Sequence, residues 1–227
     1  MKLTGRTAAV TGASSGIGAA IAAALAAEGA AVLALARRFP PAAARPPVPG
    51  ELLAIPCDVT DEARVAEIFA AAGSIDLLIL AAGTGTFAPL ADTTPAALRA
   101  LLEVHAVGTL HCLRAALPGM RGRGRGHIIG IGSTAEHQTF ADNAAYAAAK
   151  SAQSSLLRVL TEEVRPAGLH VTRVTLGAVD TPIWNDRPGF DRSRMMAPAQ
   201  VAAAVVDLAA DAAPPDALDL LPATGHL

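Results

Sequence analysis

A chain of 227 residues that is 52% hydrophobic and 17% charged has the length and apolar content of a folded α/β domain, which excludes wholesale disorder. Its formal net charge of −2 excludes the basic balance by which nucleic acids or anionic membranes are held. Two cysteines, Cys57 and Cys112, lack metal-ligand spacing and are expected as buried free thiols rather than a disulfide.

In chain order, "TAAVTG" from Thr7 reads as a strand that ends at a glycine turn and opens into an alanine-rich helix over 17–28. "AAVLALA" from Ala30 and "LLAIPCDV" from Leu52 are the next strands. Between them, "RRFPPAAARPPVPGE" from Arg37 holds too many prolines for a helix. A helix over 61–72 leads to the strand "IDLLILAAG" from Ile75, and a long helix over 95–120 leads to "HIIGIGS" from His127. "MRGRGRGH" from Met120 reads as a solvated helix-to-strand connection rather than an RNA-binding run, since no aromatic set accompanies it. A helix over 143–165, the strand "HVTRVTLG" from His170, a helix over 198–210 and a weak strand "ALDLLPA" from Ala217 complete the chain. Short apolar strands alternating with helices predict a three-layer α/β arrangement, a doubly wound parallel sheet of about seven strands covered on both faces. The expectation is one domain over 1–227 with a short substrate lid at 181–197. No run of about 18 apolar residues and no apolar leader is seen, so a soluble cytoplasmic protein is expected.

The stretch "VTGASSGIG" at 10–18 lies between the first strand and first helix. Glycines at 12, 16 and 18 allow a sharp turn and close approach of a ligand, and the helix N-terminus offers free N–H groups to a pyrophosphate. The alternative is a plain tight turn. In the helix over 143–165, Tyr146 and Lys150 stand four residues apart, so both side chains share one face. Read alone, without Ser133 and the glycine loop, they are an ordinary helix pair with a snorkelling lysine.

Taken together, Thr11-Gly-Ala-Ser-Ser-Gly-Ile-Gly18, "CDV" at 57–59, "AAG" at 81–83, Ser133 after a strand, Tyr146-x-x-x-Lys150 and "VDTP" at 179–182 resemble the short-chain dehydrogenase/reductase family, in its compact single-domain branch. The resemblance runs from about residue 4 to about 211. It implies a Rossmann fold and a nicotinamide cofactor contacted by Gly12, Ser14, Ser15, Gly16, Ile17, Gly18, Arg37, Arg38, Asp58, Val59, Ala82, Gly83, Tyr146, Lys150, Gly177, Val179 and Thr181. Ala36 followed by Arg37 and Arg38 stands where an acidic residue would hold the ribose of NAD. A neutral residue and guanidinium groups suit a 2′-phosphate, so NADP(H) is expected over NAD(H). The alternative is that both arginines simply solubilise the start of a loop.

The resemblance also implies a Ser133–Tyr146–Lys150 centre. Tyr146 exchanges a proton with the carbonyl or alcohol oxygen, Ser133 positions that oxygen, and the Lys150 ammonium lowers the phenol's pKa. The function so implied is NADP(H)-dependent reduction of a carbonyl, or oxidation of an alcohol, on a small molecule. No metal is expected, no nucleic acid and no membrane, and a homodimer or homotetramer is. Two other readings stand beside it: isomerisation or dehydration through transient oxidation, and a nucleotide-binding sensor with little turnover. Departures from the family pattern favour the sensor. His105 replaces an asparagine of the proton relay, and is either a relay member or a structural histidine. Leu80 and Ala81 replace two asparagines, removing amide support between strands, and Leu176 replaces the proline before Gly177. In the lid, Trp184, Phe190, Met195 and Met196 offer apolar contacts and Arg187, Arg192 and Arg194 offer positive charge. The alternative is a lid packed on its own domain.

Overall fold

A computed structural model describes residues 1–185 and 191–223. Seven strands, β1 (Thr7–Thr11), β2 (Ala31–Ala36), β3 (Leu52–Pro56), β4 (Leu77–Leu80), β5 (His127–Ile131), β6 (His170–Leu176) and β7 (Ala217–Leu220), form one parallel sheet in the order β3-β2-β1-β4-β5-β6-β7. The helices are α1 (Gly16–Ala27), α2 (Glu62–Ala72), α3 (Pro95–Leu102), α4 (Gly108–Arg123), α5 (Ala144–Val164) and α6 (Pro198–Ala210). This is the doubly wound Rossmann arrangement, with seven strands where seven were expected.

Alternation within each strand builds the two cores. Val10 on β1, Ile79 on β4 and Ile129 on β5 face Ile21 and Leu25 of α1 and Val201 and Val205 of α6. Their neighbours Ala9, Leu78 and Ile128 face Ile68 of α2, Leu113 of α4 and Leu157 of α5. Burial on both sides explains why the strands read as continuous apolar runs. Cys57 and Cys112 are buried free thiols in the second core.

Local chemistry fixes the helix ends. Asp61 accepts the Arg64 N–H at 3.0 Å and Thr94 accepts the Ala97 N–H at 3.1 Å, each capping a first turn. The segment 37–51 contains no helix or strand, as its prolines require. Arg123 and Arg125 serve the fold: Arg123 Nη2 donates to the Ile75 carbonyl and Arg125 pairs with the buried Asp76 at 3.6 Å.

The expected helix over 95–120 is divided. A π-helical stretch, Glu103–Val107, separates α3 from α4 and carries His105 at its centre. The extra residue per turn rotates the following helix. The run Pro95–Arg123 is long and apolar enough to cross a membrane by length and composition. Its residues Leu101, Cys112, Leu113, Ala116 and Met120 are buried in this protein's own core. The plain face of α5 has a similar use: Ala145 and Ala149 let α3 close on α5 through Leu101.

Candidate active site

Chain order reverses direction between β1 and β4, and the loops leaving these neighbouring strands form a crevice at their C-terminal ends. Gly12 has φ +70°, and a Cβ there would lie 2.7 Å from the Ala81 carbonyl oxygen; one on Gly18 would overlap the Gly12 carbonyl. Both positions therefore exclude any side chain. Ser15 stands at the N-cap of α1 without a capping bond, and no acidic residue occupies the first turn, which leaves the positive helix end unopposed. Gly16 and Ile17 form that turn, with Ser14 in the loop before it. Arg38 Nη2 donates to Ser15 Oγ at 3.2 Å, while Arg37 is exposed.

Across the crevice, the Thr11 hydroxyl accepts the N–H groups of Ala81 and Ala82, both at 3.0 Å, and reaches the Ile79 carbonyl at 3.3 Å. One β1 hydroxyl thus supports the loop after β4, and Leu80 is free to pack in the core. On the β3 side, Asp58 Oδ1 holds the Thr60 N–H and hydroxyl, and Val59 is buried with its carbonyl bonded by His111 Nδ1 at 3.0 Å.

Ser133 follows β5 directly, and the first turns of α5 carry Tyr146 and Lys150. The Ser133 side chain acts on the Tyr146 hydroxyl so as to favour its ionised form. Lys150 is buried and donates to the Ile131 carbonyl at 2.7 Å and to Gln153 Oε1 at 2.9 Å; Gln153 Nε2 then donates to Thr109 Oγ1 at 3.0 Å. Burial drives the ammonium down to about 8, with the Glu136 carboxylate acting in the opposite sense. Burial pushes the Tyr146 phenol up to about 12; the Ser133 side chain opposes this and Glu136 adds to it. Part of the tyrosine surface remains open, so solvent moderates that push. The phenol is therefore raised here, whereas the resemblance implied a lowering by Lys150.

His105 is buried at 1% exposure, edge-on to the Tyr146 ring. Its Nε2 is 2.8 Å from the Thr84 carbonyl oxygen and 3.3 Å from the Thr84 nitrogen. The shorter bond assigns the proton to Nε2 and leaves Nδ1 a buried lone pair with no partner among the described residues. Burial, then the Lys150 charge, drive its pKa down to about 3 against the Thr84 bond, so the ring is neutral. Its Cε1 lies 2.8 Å from where a Cβ on Gly83 would be.

After β6, Gly177 packs under Pro222, Val179 is buried and bridged to Met196, and the Thr181 side chain lies 3.2 Å from a Cβ position on Gly16. The segment is stapled to itself: Trp184 Nε1 donates to the Val179 carbonyl at 2.9 Å, and Arg192 pairs with Asp180 and reaches Asn185. Met195 and Met196 are buried. Arg187 and Phe190 lie outside the described residues.

Sequence reasoning passed over Glu136, Gln153, Thr109 and Phe87. Glu136 had a signal, since Ser133-x-x-Glu136 is the spacing of a capping box, and both of its bonds are present. Gln153 is three residues beyond Lys150, on the same helix face. Thr109 and Phe87, the latter 5.5 Å from the Tyr146 ring, reach the site through tertiary structure alone.

The profile of a family described as "short chain dehydrogenase" matches residues 6–189. An uncharacterized oxidoreductase of Staphylococcus haemolyticus is 30% identical over 211 residues, covering 90% of this chain and 91% of that protein. Among solved structures, a protein described as a short chain dehydrogenase/reductase family protein superposes with a TM-score of 0.85 at 31% identity, over 98% of this chain and 97% of the other. A metagenomic short-chain oxidoreductase in complex with NADP superposes with a TM-score of 0.80 at 31% identity, over 98% and 99%. Glycine cradle, parallel sheet and matched sequence agree: the chain belongs to the short-chain dehydrogenase/reductase family and is an NAD(P)-dependent oxidoreductase.

Proposed function

We propose that this protein reduces the carbonyl group of a small molecule with NADPH, or oxidises the corresponding alcohol, through Ser133, Tyr146 and Lys150. The observation that carries the reading is that Ser133, at the C-terminal end of β5, and Tyr146 and Lys150, one turn apart on α5, converge there, with Lys150 anchored to the Ile131 carbonyl of β5 at 2.7 Å. The cradle at Gly12 and Gly18, where a Cβ would collide with backbone, fits the close approach of a pyrophosphate. Arg38 beside Ser15 fits a 2′-phosphate, with Arg37, Ser14 and Ile17 around it. Asp58, Val59, Ala82, Gly83, Gly177, Val179 and Thr181 would border the remainder of the dinucleotide.

When bound, the nicotinamide supplies the hydride. The chain's own task is to hold the substrate oxygen against the Ser133 and Tyr146 hydroxyls and to deliver the Tyr146 proton to it. That phenol keeps its proton at neutral pH, as an acid for reduction must. Gln153 and the Ile131 carbonyl hold Lys150 in line, and His105 and Phe87 wall the tyrosine ring. Exposed Leu110 on α4 and Val159 on α5 support a homodimer or homotetramer built on those helices.

The test is a panel of ketones and aldehydes with NADPH and NADH, alongside Tyr146→Phe. Turnover that disappears in Tyr146→Phe while cofactor still binds supports the proposal. Cofactor binding with no turnover on any substrate would identify a nucleotide-binding sensor instead.

A further inference from the structure

We propose that Glu136 is a positioning residue of this centre, whose carboxylate sets the pH range over which the Tyr146 hydroxyl exchanges its proton; this rests on the reductase reading above. Glu136 Oε1 accepts the Ser133 N–H at 2.8 Å, and the carboxylate fills the space directly off Gly132 that any Cβ there would occupy. Ser133 Oγ accepts the Ala135 N–H at 3.2 Å, and the Ser133 side chain favours the ionised form of the Tyr146 phenol. The Ser151 hydroxyl of α5 donates to the Glu136 carbonyl at 3.1 Å, which ties the short turn to the helix bearing Tyr146 and Lys150. A carboxylate is thus clamped against Ser133, on a turn tied to the helix that bears Tyr146.

The other groups facing Tyr146 do not supply that charge. His105, from the π-helical stretch, is neutral, and Phe87, from the loop after β4, is apolar. Lys150, on the tyrosine's own helix, is positive and donates hydrogen bonds to the Ile131 carbonyl and Gln153 Oε1. Glu136 raises the proton affinity of both Tyr146 and Lys150. It adds to burial, the larger cause, so alcohol oxidation, which needs a proton acceptor, is displaced further to alkaline pH. A capping box alone does not require a charge, because glutamine accepts the same N–H.

Tyr146 is the only tyrosine in the chain, so phenolate absorbance follows it without interference from another phenol. The full-length protein, with NADP+ bound, is titrated as wild type, Glu136→Gln and Glu136→Ala, with circular dichroism marking the folded range. Glu136→Gln, which keeps the cap, is expected to lower the midpoint by roughly 0.5–1 pH unit and to move the pH of half-maximal alcohol oxidation down with it. Glu136→Ala is expected to lower the midpoint and the thermal midpoint together. A Glu136→Gln midpoint within about 0.2 unit of wild type, or no titration in either protein before unfolding, overturns the proposal and leaves Glu136 a cap. The titration is read whether or not turnover is found, so a failure of the reductase reading is distinguishable from a failure of this one.

Discussion

The imidazole of His105 stands edge-on to the ring of Tyr146, centroids 5.6 Å apart and planes at 88°. The contact, the Thr84 bond and the neutral state make His105 a wall of the site. His105→Asn retains an amide that can bond Thr84. It is expected to change turnover less than tenfold while lowering stability by about 1–2 kcal/mol through the space it opens. Steady-state rates and thermal unfolding check this; a loss beyond about tenfold would show the ring taking part in proton movement.

Acid should unfold this protein early. His105 is lowered to about 3 and His127 to about 4, burial being the first cause in each. Both are neutral in the fold, and below their unfolded pKa of 6.5 the unfolded chain binds protons that the fold refuses. Stability from these groups is therefore full above 6.5 and falls as pH drops, by up to about 1.4 kcal/mol per unit for each histidine, until about 4 for His127 and 3 for His105. Denaturant midpoints from pH 8 to 4 read the slope, and His105→Asn should make it shallower.

Thr11→Val keeps shape and removes the hydroxyl that holds Ala81 and Ala82. Two N–H groups lose their acceptor, at a cost of about 1–3 kcal/mol. Because the loop after β4 borders the crevice, cofactor affinity should fall along with stability, whereas a purely core effect would lower only the latter. Isothermal titration with NADPH and thermal unfolding separate the two.

Arg38→Ala is expected to raise KM for NADPH at least about tenfold while leaving that for NADH within about twofold, the difference expected for losing a charged, bidentate phosphate contact. Equal effects on both cofactors would return Arg38 to the role of a solubilising loop residue.

The fold was legible because strands buried on both faces leave apolar runs, and because prolines over 40–49 rule out a second crossover helix. Less legible was the division of the long helix. Nothing in "LLEVHAVGT" breaks helical periodicity, and the π-helical stretch arises where His105 must reach between Thr84 and Tyr146. Leu80 and Ala81 carry no side-chain amides to support neighbouring strands. Their replacement by Thr11 required knowing that β1 and β4 are neighbours. Of the two readings of the arginines over 181–197, positive charge for a ligand or packing on their own domain, Arg192 follows the second by pairing with Asp180, across a segment with no periodicity to announce it.

The close seat of His105 over Gly83 limits the routes by which this site can change. Only a hydrogen fits at position 83 while imidazole stays at 105, since the ring carbon would be 2.8 Å from a new methyl. Substitutions there are ordered: residue 105 must shrink before residue 83 can grow. Gly83→Ala alone should be crippling and Gly83→Ala with His105→Asn tolerated. A library of single substitutions in the wild-type chain would miss that second pocket shape, whereas one built on His105→Asn would reach it.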